Sequence, residues 1–139
     1  MILILDLGDK FSRFLGRRIR EENIYCEIIP YDYPIEKIKS KRPEGIIISG
    51  GISNNIISPS RLNKGIFRLG MPILAIGFGV DIMNEFFGGK SIKPTTEDYD
   101  FEYIDVSRES LLFNGLGERL SLWMNKEHII EDVPKNFKV

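Results

Sequence analysis

The sequence predicts a doubly wound α/β domain: a mainly parallel sheet with helices on both faces and a small β-rich extension after residue 90. Three observations lead there. Short continuous apolar runs recur at Ile2–Leu5, Ile24–Ile29, Gly45–Ile48 and Pro72–Ile76, the pattern of strands covered on both faces. Stretches of helical spacing or helix-sized length separate them. Glycine, proline and aspartate mark the ends of these segments. Strand and helix alternate four times, and that alternation builds a parallel sheet.

Each element has its own local reason. Asp6-Leu7-Gly8-Asp9 is a turn after the first strand. Phe11, Phe14, Leu15, Arg18 and Ile19 fall on one helical face, so a helix is expected over Lys10–Glu22. Pro30 ends the second strand. Ile35–Ser40 is a short helix before Arg42-Pro43. The third strand closes on Ser49-Gly50-Gly51, and Ile52–Pro59 reads as loop. Ser60–Leu69 is expected to be a helix. The fourth strand runs through a sharp turn into a helix over Val80–Phe87, stopped by Gly88-Gly89. Beyond Gly89 the pattern becomes β-like, with strands expected at Tyr99–Val106 and Leu120–Met124.

The bulk properties narrow the function classes. A chain of 139 residues is one domain by size. A formal net charge of −1 offers no general attraction to nucleic acid or to an anionic membrane. No apolar run approaches the roughly 20 residues that span a bilayer. Met1–Asp6 is too short for a signal peptide and lacks a basic leader. The one cysteine, Cys26, excludes an intrachain disulfide framework and fits a reducing cytoplasm.

The most informative segment is Met71-Pro-Ile-Leu-Ala-Ile-Gly-Phe-Gly-Val-Asp-Ile-Met83. A strand-to-helix elbow of this kind can hold a nucleophile at the edge of an α/β sheet. Here the elbow position is Gly77, which has no side chain to attack with.

A wider set of segments carries a family resemblance. Ile2-Leu-Ile-Leu-Asp6, Arg17-Arg18-Ile-Arg20, Tyr25-Cys-Glu-Ile28, Pro30-Tyr-Asp32, Gly45-Ile-Ile-Ile-Ser-Gly-Gly51, Pro72–Gly79 and Gly88-Gly-Lys90 occur in that order. With Leu112-Phe-Asn-Gly-Leu116, Trp123-Met124 and Val133-Pro-Lys-Asn-Phe-Lys-Val139, they resemble the class I glutamine amidotransferases. Within that family the likeness is to the glutaminase part of GMP synthetases, and it covers essentially the whole chain. It implies a flavodoxin-like form of the fold. It also implies the family's chemistry: a cysteine thiolate attacks the glutamine amide, a histidine moves protons, and a carboxylate orients the histidine.

Matched position by position, that chemistry is missing. Gly77 stands where the nucleophilic cysteine belongs, and Asp81 where a glutamine helps hold substrate. Phe78 and Gly79 continue the elbow. Glu102-Tyr103 replaces the Gly-Tyr pair that borders the glutamine pocket, and Asn125-Lys126 replaces a serine-histidine pair. The family's histidine and glutamate lie beyond the position matching Val139, so a C-terminally truncated domain without them is expected. The loop at Ser49, Gly50 and Gly51 matches the oxyanion-side glycines.

No other residue takes over in the sequence. Cys26 falls in the second strand and reads as a small core hydrophobe. His128 reads as a surface or edge histidine. Ser49 has no base in the pattern. Asp6, Asp9 and Asp81 are a candidate Mg²⁺ set at the strand ends, but turn and cap chemistry explains Asp6 and Asp9. No metal or cofactor is therefore expected. The basic run Arg13, Arg17, Arg18 and Arg20 reads as a solvated face, with a dock for an acidic partner as the alternative.

Three functional readings follow. The first is a catalytically inactive relative that acts by binding a partner: an ATP-dependent GMP synthetase subunit or a full-length glutaminase. The second is a glutaminase component completed by another chain. The third is a small-molecule binder using the vacated elbow pocket. Self-association is expected alongside, because truncation would leave apolar surface uncovered.

Overall fold

The apolar runs become four parallel strands hydrogen-bonded in the order β2-β1-β3-β4. They are seen in a computed structural model that describes residues 1–8, 10–50, 62–92, 99–125 and 128–139. The strands are β1 (Ile2–Asp6), β2 (Cys26–Pro30), β3 (Gly45–Gly50) and β4 (Ile73–Gly77). Between and after them lie helices α1 (Phe11–Glu21), α2 (Ile35–Lys41) and α3 (Phe78–Phe86). Ile4 pairs with Ile28 on one side and Ile47 on the other, and Ile48 pairs with Ala75.

That register sorts side chains onto two covered faces. Leu3, Leu5, Ile29, Ile46 and Ile48 share one face and form a core with Ile38 of α2, Ile66 and Ile82 of α3. Ile4 and Ile28 belong to the other face, where α1 lies close. A β-carbon on Gly16 of α1 would stand 3.1 Å from Ile28 Cδ1. Helix α1 buries Ser12 and Gly16 and turns Arg17 and Arg18 outward, both paired with Glu21. The doubly wound fold expected from the alternation is therefore present.

Several boundaries differ from expectation. Pro30 does not stop β2 early; it is the last residue of the strand, paired with Asp6. β2 is an edge strand, where a missing N–H costs no ladder bond on the open side. The helix expected over Ser60–Leu69 is not an α-helix in its described part, which holds only a 3-10 turn at Lys64–Arg68. Asn63 caps that turn by accepting from the Gly65 N–H at 3.1 Å, and Gly65 and Gly70 bracket it. Glycine and a local side-chain cap both favour a tight turn over a propagating helix. Ser60, Arg61, Asp9, Gly51 and the Ile52–Pro59 loop lie outside the described residues, as do Lys126, Glu97 and Asp98.

An ion pair ties α2 to the sheet edge: Lys41 Nζ donates to Glu27 Oε2 at 2.6 Å. That hydrogen bond holds the Glu27 carboxyl below the usual carboxylate range and raises the Lys41 ammonium above its own.

The chain divides into two units: Met1–Ser91 with Ile130–Val139, and Ile92–Ile129. β5 (Lys90–Ile92) and β8 (Ile129–Asp132), whose residues belong to the first unit apart from Ile92 and Ile129, form a two-stranded sheet. Lys90 pairs there with Glu131, which raises the lysine pKa. In the second, β6 (Tyr99–Asp105) and β7 (Arg119–Asn125) pair antiparallel, joined through a 3-10 turn at Leu111–Phe113. No helix among the described residues is long and apolar enough to cross a membrane.

Candidate functional site: a strand-to-helix elbow closed by main chain

β4 runs into α3 with no residue between them: Gly77 ends the strand and caps the helix. Its dihedrals are φ 59 and ψ −132, a region that side-chain-bearing residues occupy only under strain. The sequence supplies glycine where the turn demands it.

Space at the elbow is set by register. Gly50, the last residue of β3, pairs with Gly77. A β-carbon built on Gly77 would fall on the Gly50 carbonyl oxygen. The volume where a nucleophile's first side-chain atom would stand is therefore filled by main chain. Gly50 is itself confined, since a β-carbon there would come within 2.6 Å of Leu7 Cδ1. Gly79, in the first turn of α3, lies against β3, and its β-carbon would stand 2.6 Å from the Ile48 carbonyl oxygen. These three glycines let β3, β4 and α3 approach closely.

The side chains around the elbow are placed for packing. Phe78 is half-buried against the core cluster. Asp81 is buried at 8% exposure in the first turn of α3, where a carboxylate complements the positive end of the helix. Asn84 is buried and donates Nδ2 to Ser91 Oγ at 3.2 Å. Ser49 is fully buried, and among the described residues its hydroxyl has no hydrogen-bond partner. A hydroxyl that solvent and substrate cannot reach is no nucleophile.

The remaining sequence candidates fall elsewhere. Cys26 is buried at 2% exposure under α1, with Sγ donating to the Gly16 carbonyl at 3.4 Å. It lies on β2, and three strand spacings of about 4.8 Å separate β2 from β4, so its thiol is roughly 14 Å from the elbow strand. Asp6 accepts from the Gly8 N–H at 2.8 Å and from Ser12 Oγ at 2.9 Å, which is turn and cap chemistry. Among the described residues no three His, Cys, Asp or Glu side chains gather as metal ligands. His128 is half-buried just before β8. Glu102 and Tyr103 are neighbours on β6, so they face opposite sides of that hairpin. Tyr103 is 67% exposed, with the Arg119 guanidinium 4.8 Å over its ring.

A cavity of about 300 Å³ lies beside α3 in the first unit. Val80, Met83, Ile130, Val133 and Phe137 form most of its apolar wall, with Asn84 and Lys138 as its polar members. Gly77 does not line it. Neither this cavity nor the closing role of the Gly50 carbonyl is visible in the sequence. Both depend on strand register and on the path of Ile130–Val139, which no local pattern encodes.

Comparison with known proteins covers nearly the whole chain. Residues 3–139 match the glutamine amidotransferase class-I family. A GMP synthase (glutamine-hydrolyzing) from Acetivibrio thermocellus is 36% identical over 139 residues, covering 99% of this chain and 27% of that protein. The corresponding protein from Caldanaerobacter subterraneus subsp. tengcongensis is 40% identical over 139 residues, with the same coverage of 99% and 27%. The chain thus spans about a quarter of the length of these curated relatives. Among solved structures, a Thermoplasma acidophilum protein assigned as a GMP synthase subunit superposes with a TM-score of 0.81 at 24% identity. That match covers 99% of this chain and 69% of the other. A glutamine amidotransferase from Thermotoga maritima gives a TM-score of 0.72 at 13% identity, covering 97% and 64%.

Proposed function

The chain belongs to the class-I glutamine amidotransferase family, and from that premise we propose that it is a non-catalytic member, similar to the glutaminase part of GMP synthases, that works by binding a synthetase partner. One observation carries the reading. The elbow that would present a nucleophile holds Gly77, and the Gly50 carbonyl fills the place of a side chain there. Ser49 and Cys26 are buried away from any substrate. The core strands and elbow glycines meanwhile keep the geometry needed to fold and to present a surface.

The partner chemistry comes from the relatives. They are GMP synthases, and this chain corresponds to 27% of their length. The partner is accordingly the ATP-dependent synthetase part of such an enzyme, with a full-length glutaminase as the competing occupant. The reading places the protein in the cytosol, where the single thiol stays reduced, and includes association between copies of the chain.

The test is direct. The full chain is mixed with the separately prepared synthetase part of a GMP synthase relative, and both complex formation and ammonia release from glutamine are measured. Binding without glutamine-dependent ammonia is the expected result. Ammonia release above the synthetase-only background would overturn the non-catalytic reading and favour a glutaminase completed in trans. Failure to bind would overturn the partner reading.

A further inference from the structure

We infer that the open edge of β4 is an association surface whose occupant is β4 of a second copy, added antiparallel about a two-fold axis so that two sheets become one. The inference rests on the reading that the protein works by association, and it gives the contact between copies a place and a register. Among the described residues β4 ends the sheet, hydrogen-bonded to β3 alone. The Ile46 N–H donates to the Pro72 carbonyl at 3.0 Å. Main-chain groups alternate sides along a strand. Those of Leu74 and Ile76 therefore also turn toward β3, and those of Ile73, Ala75 and Gly77 turn outward.

An unguarded edge of this kind is a template for pairing with another chain. The opposite edge of the same sheet shows how such an edge is closed. On β2 the Tyr25 carbonyl accepts from the Ile2 N–H at 3.0 Å, which turns the groups of Cys26, Ile28 and Pro30 outward. The Cys26 carbonyl accepts from Arg20 Nη2 at 3.1 Å, and Pro30 has no N–H to offer. β4 has no such guard. No charged residue occurs from Met71 to Val80, and Pro72 precedes the strand rather than interrupting it.

The sequence of β4 selects its own copy. Antiparallel pairing centred on Ala75 sets the two Ala75 residues against each other and Ile73 against Gly77. These are the outward residues, the ones that exchange main-chain hydrogen bonds in an antiparallel pair. The same register sets Leu74 against Ile76. Leu74 lies beside Ile47, and so both share the sheet face on which α1 packs. They are half-buried there, while α1 packs mainly on β1, β2 and β3. Across the axis two leucines and two isoleucines close into one apolar patch, and no like charges are opposed. A two-fold contact uses the same patch on both subunits, and this strand is complementary to itself.

Pairing along one short strand buries less than the roughly 1,200 Å² of a standard interface, so a weak dimer is expected, populated at concentrations on the order of 10⁻⁴ M. Sedimentation equilibrium of the full chain measures it, and hydrogen exchange followed by NMR locates it. Between about 10⁻⁵ and 10⁻³ M the Ile73 and Ala75 amides should slow by roughly threefold or more, and those of Leu74 and Ile76, directed at β3, should change less. Two variants then test the register. Leu74→Lys and Ile76→Glu each set charges against apolar side chains in their own dimers, so each alone is expected to be monomeric. Circular dichroism checks that both fold. In an equimolar mixture the new lysine meets the new glutamate, and the remaining leucine meets the remaining isoleucine, so a one-to-one complex is expected. The inference fails if the parent stays monomeric at about 10⁻³ M. It fails if the parent dimerises while the Ile73 and Ala75 amides exchange as they do on dilution, since the contact then lies elsewhere. It fails too if the folded variants dimerise as the parent does, or if their mixture stays monomeric. Should either variant not fold, the exchange rates of the parent decide. The synthetase-binding test reads a different complex, so its failure changes none of these outcomes.

Discussion

Placing a cysteine at the elbow should destabilise this protein and, on the proposed reading, leave it without activity on glutamine. In Gly77→Cys two costs add. The backbone at φ 59 and ψ −132 strains any residue with a β-carbon by about 1–3 kcal/mol. The new β-carbon also lands on the Gly50 carbonyl oxygen, so the end of β3 must shift away from β4. Gly50 cannot retreat freely, because Leu7 is packed against its other side. Disturbing one strand-end hydrogen bond costs about 1 kcal/mol net. The sum is about 2–4 kcal/mol, a large fraction of the roughly 5–15 kcal/mol that holds a domain together. At about 3–4 °C per kcal/mol for a chain of this size, the melting temperature should fall by roughly 6–16 °C. Calorimetry of the parent, Gly77→Cys and Gly77→Ala measures this. Cysteine and alanine should cost the same within about 1 kcal/mol, since the shared β-carbon causes the loss. Neither variant should release ammonia from glutamine. A Gly77→Cys protein that melts within about 2 °C of the parent, or that hydrolyses glutamine, would refute the reasoning.

Three further outcomes follow from the same packing. Gly79→Ala gains about 1 kcal/mol in helix propensity but drives a methyl to 2.6 Å from the immobile Ile48 carbonyl. Overpacking of about 1–3 kcal/mol should win, so a neutral or stabilised variant in urea titration would contradict the close approach. Cys26, at 2% exposure, should react with a thiol reagent on the order of 10³-fold more slowly in the native protein than in denaturant; equal rates would remove it from the core. The Glu27–Lys41 pair sets a pH window. Glu27 titrates below its ordinary value of 4.5, so its contribution is present above 4.5 and is lost as pH falls through the folded value. Lys41 titrates above 10.5, so its contribution is present below 10.5 and is lost as pH rises through the folded value. The difference in urea midpoint between the parent and Lys41→Met should therefore be steady between these limits and shrink in acid. A gap that persists once Glu27 is protonated would show that the pair is not its source.

What could be read from the sequence was what is encoded locally. Ile2–Leu5 and Gly45–Ile48 are unbroken apolar runs, and both became buried parallel strands. The elbow glycines were legible because only glycine suits a positive φ or a helix pressed against a strand. β5 and β8 are not legible in the sequence, because Lys90-Ser-Ile92 and Ile129-Ile-Glu-Asp132 are short and half polar, and each is a strand only beside the other. Lys64–Arg68 misled in the opposite direction: Ile66 and Phe67 look helical, but Asn63 and Gly65 close the turn locally. The Gly50 carbonyl entered the site only through β3–β4 register, which sequence periodicity does not fix.

The pairing of β5 with β8 gives the chain a single doorway. Everything from Ile92 to Ile129 leaves the parallel-sheet unit beside the point where it re-enters. An excursion of this kind behaves as a cassette. Its closure entropy grows only with the logarithm of its length, so it can be lengthened, trimmed or exchanged at little cost to the sheet. The returning segment then becomes structural, since Phe137 meets Phe87 with ring centroids 5.2 Å apart and Val133 helps wall the cavity beside α3. Residues 92–129 can therefore diverge quickly, while the residues on either side of the doorway stay tied to the sheet.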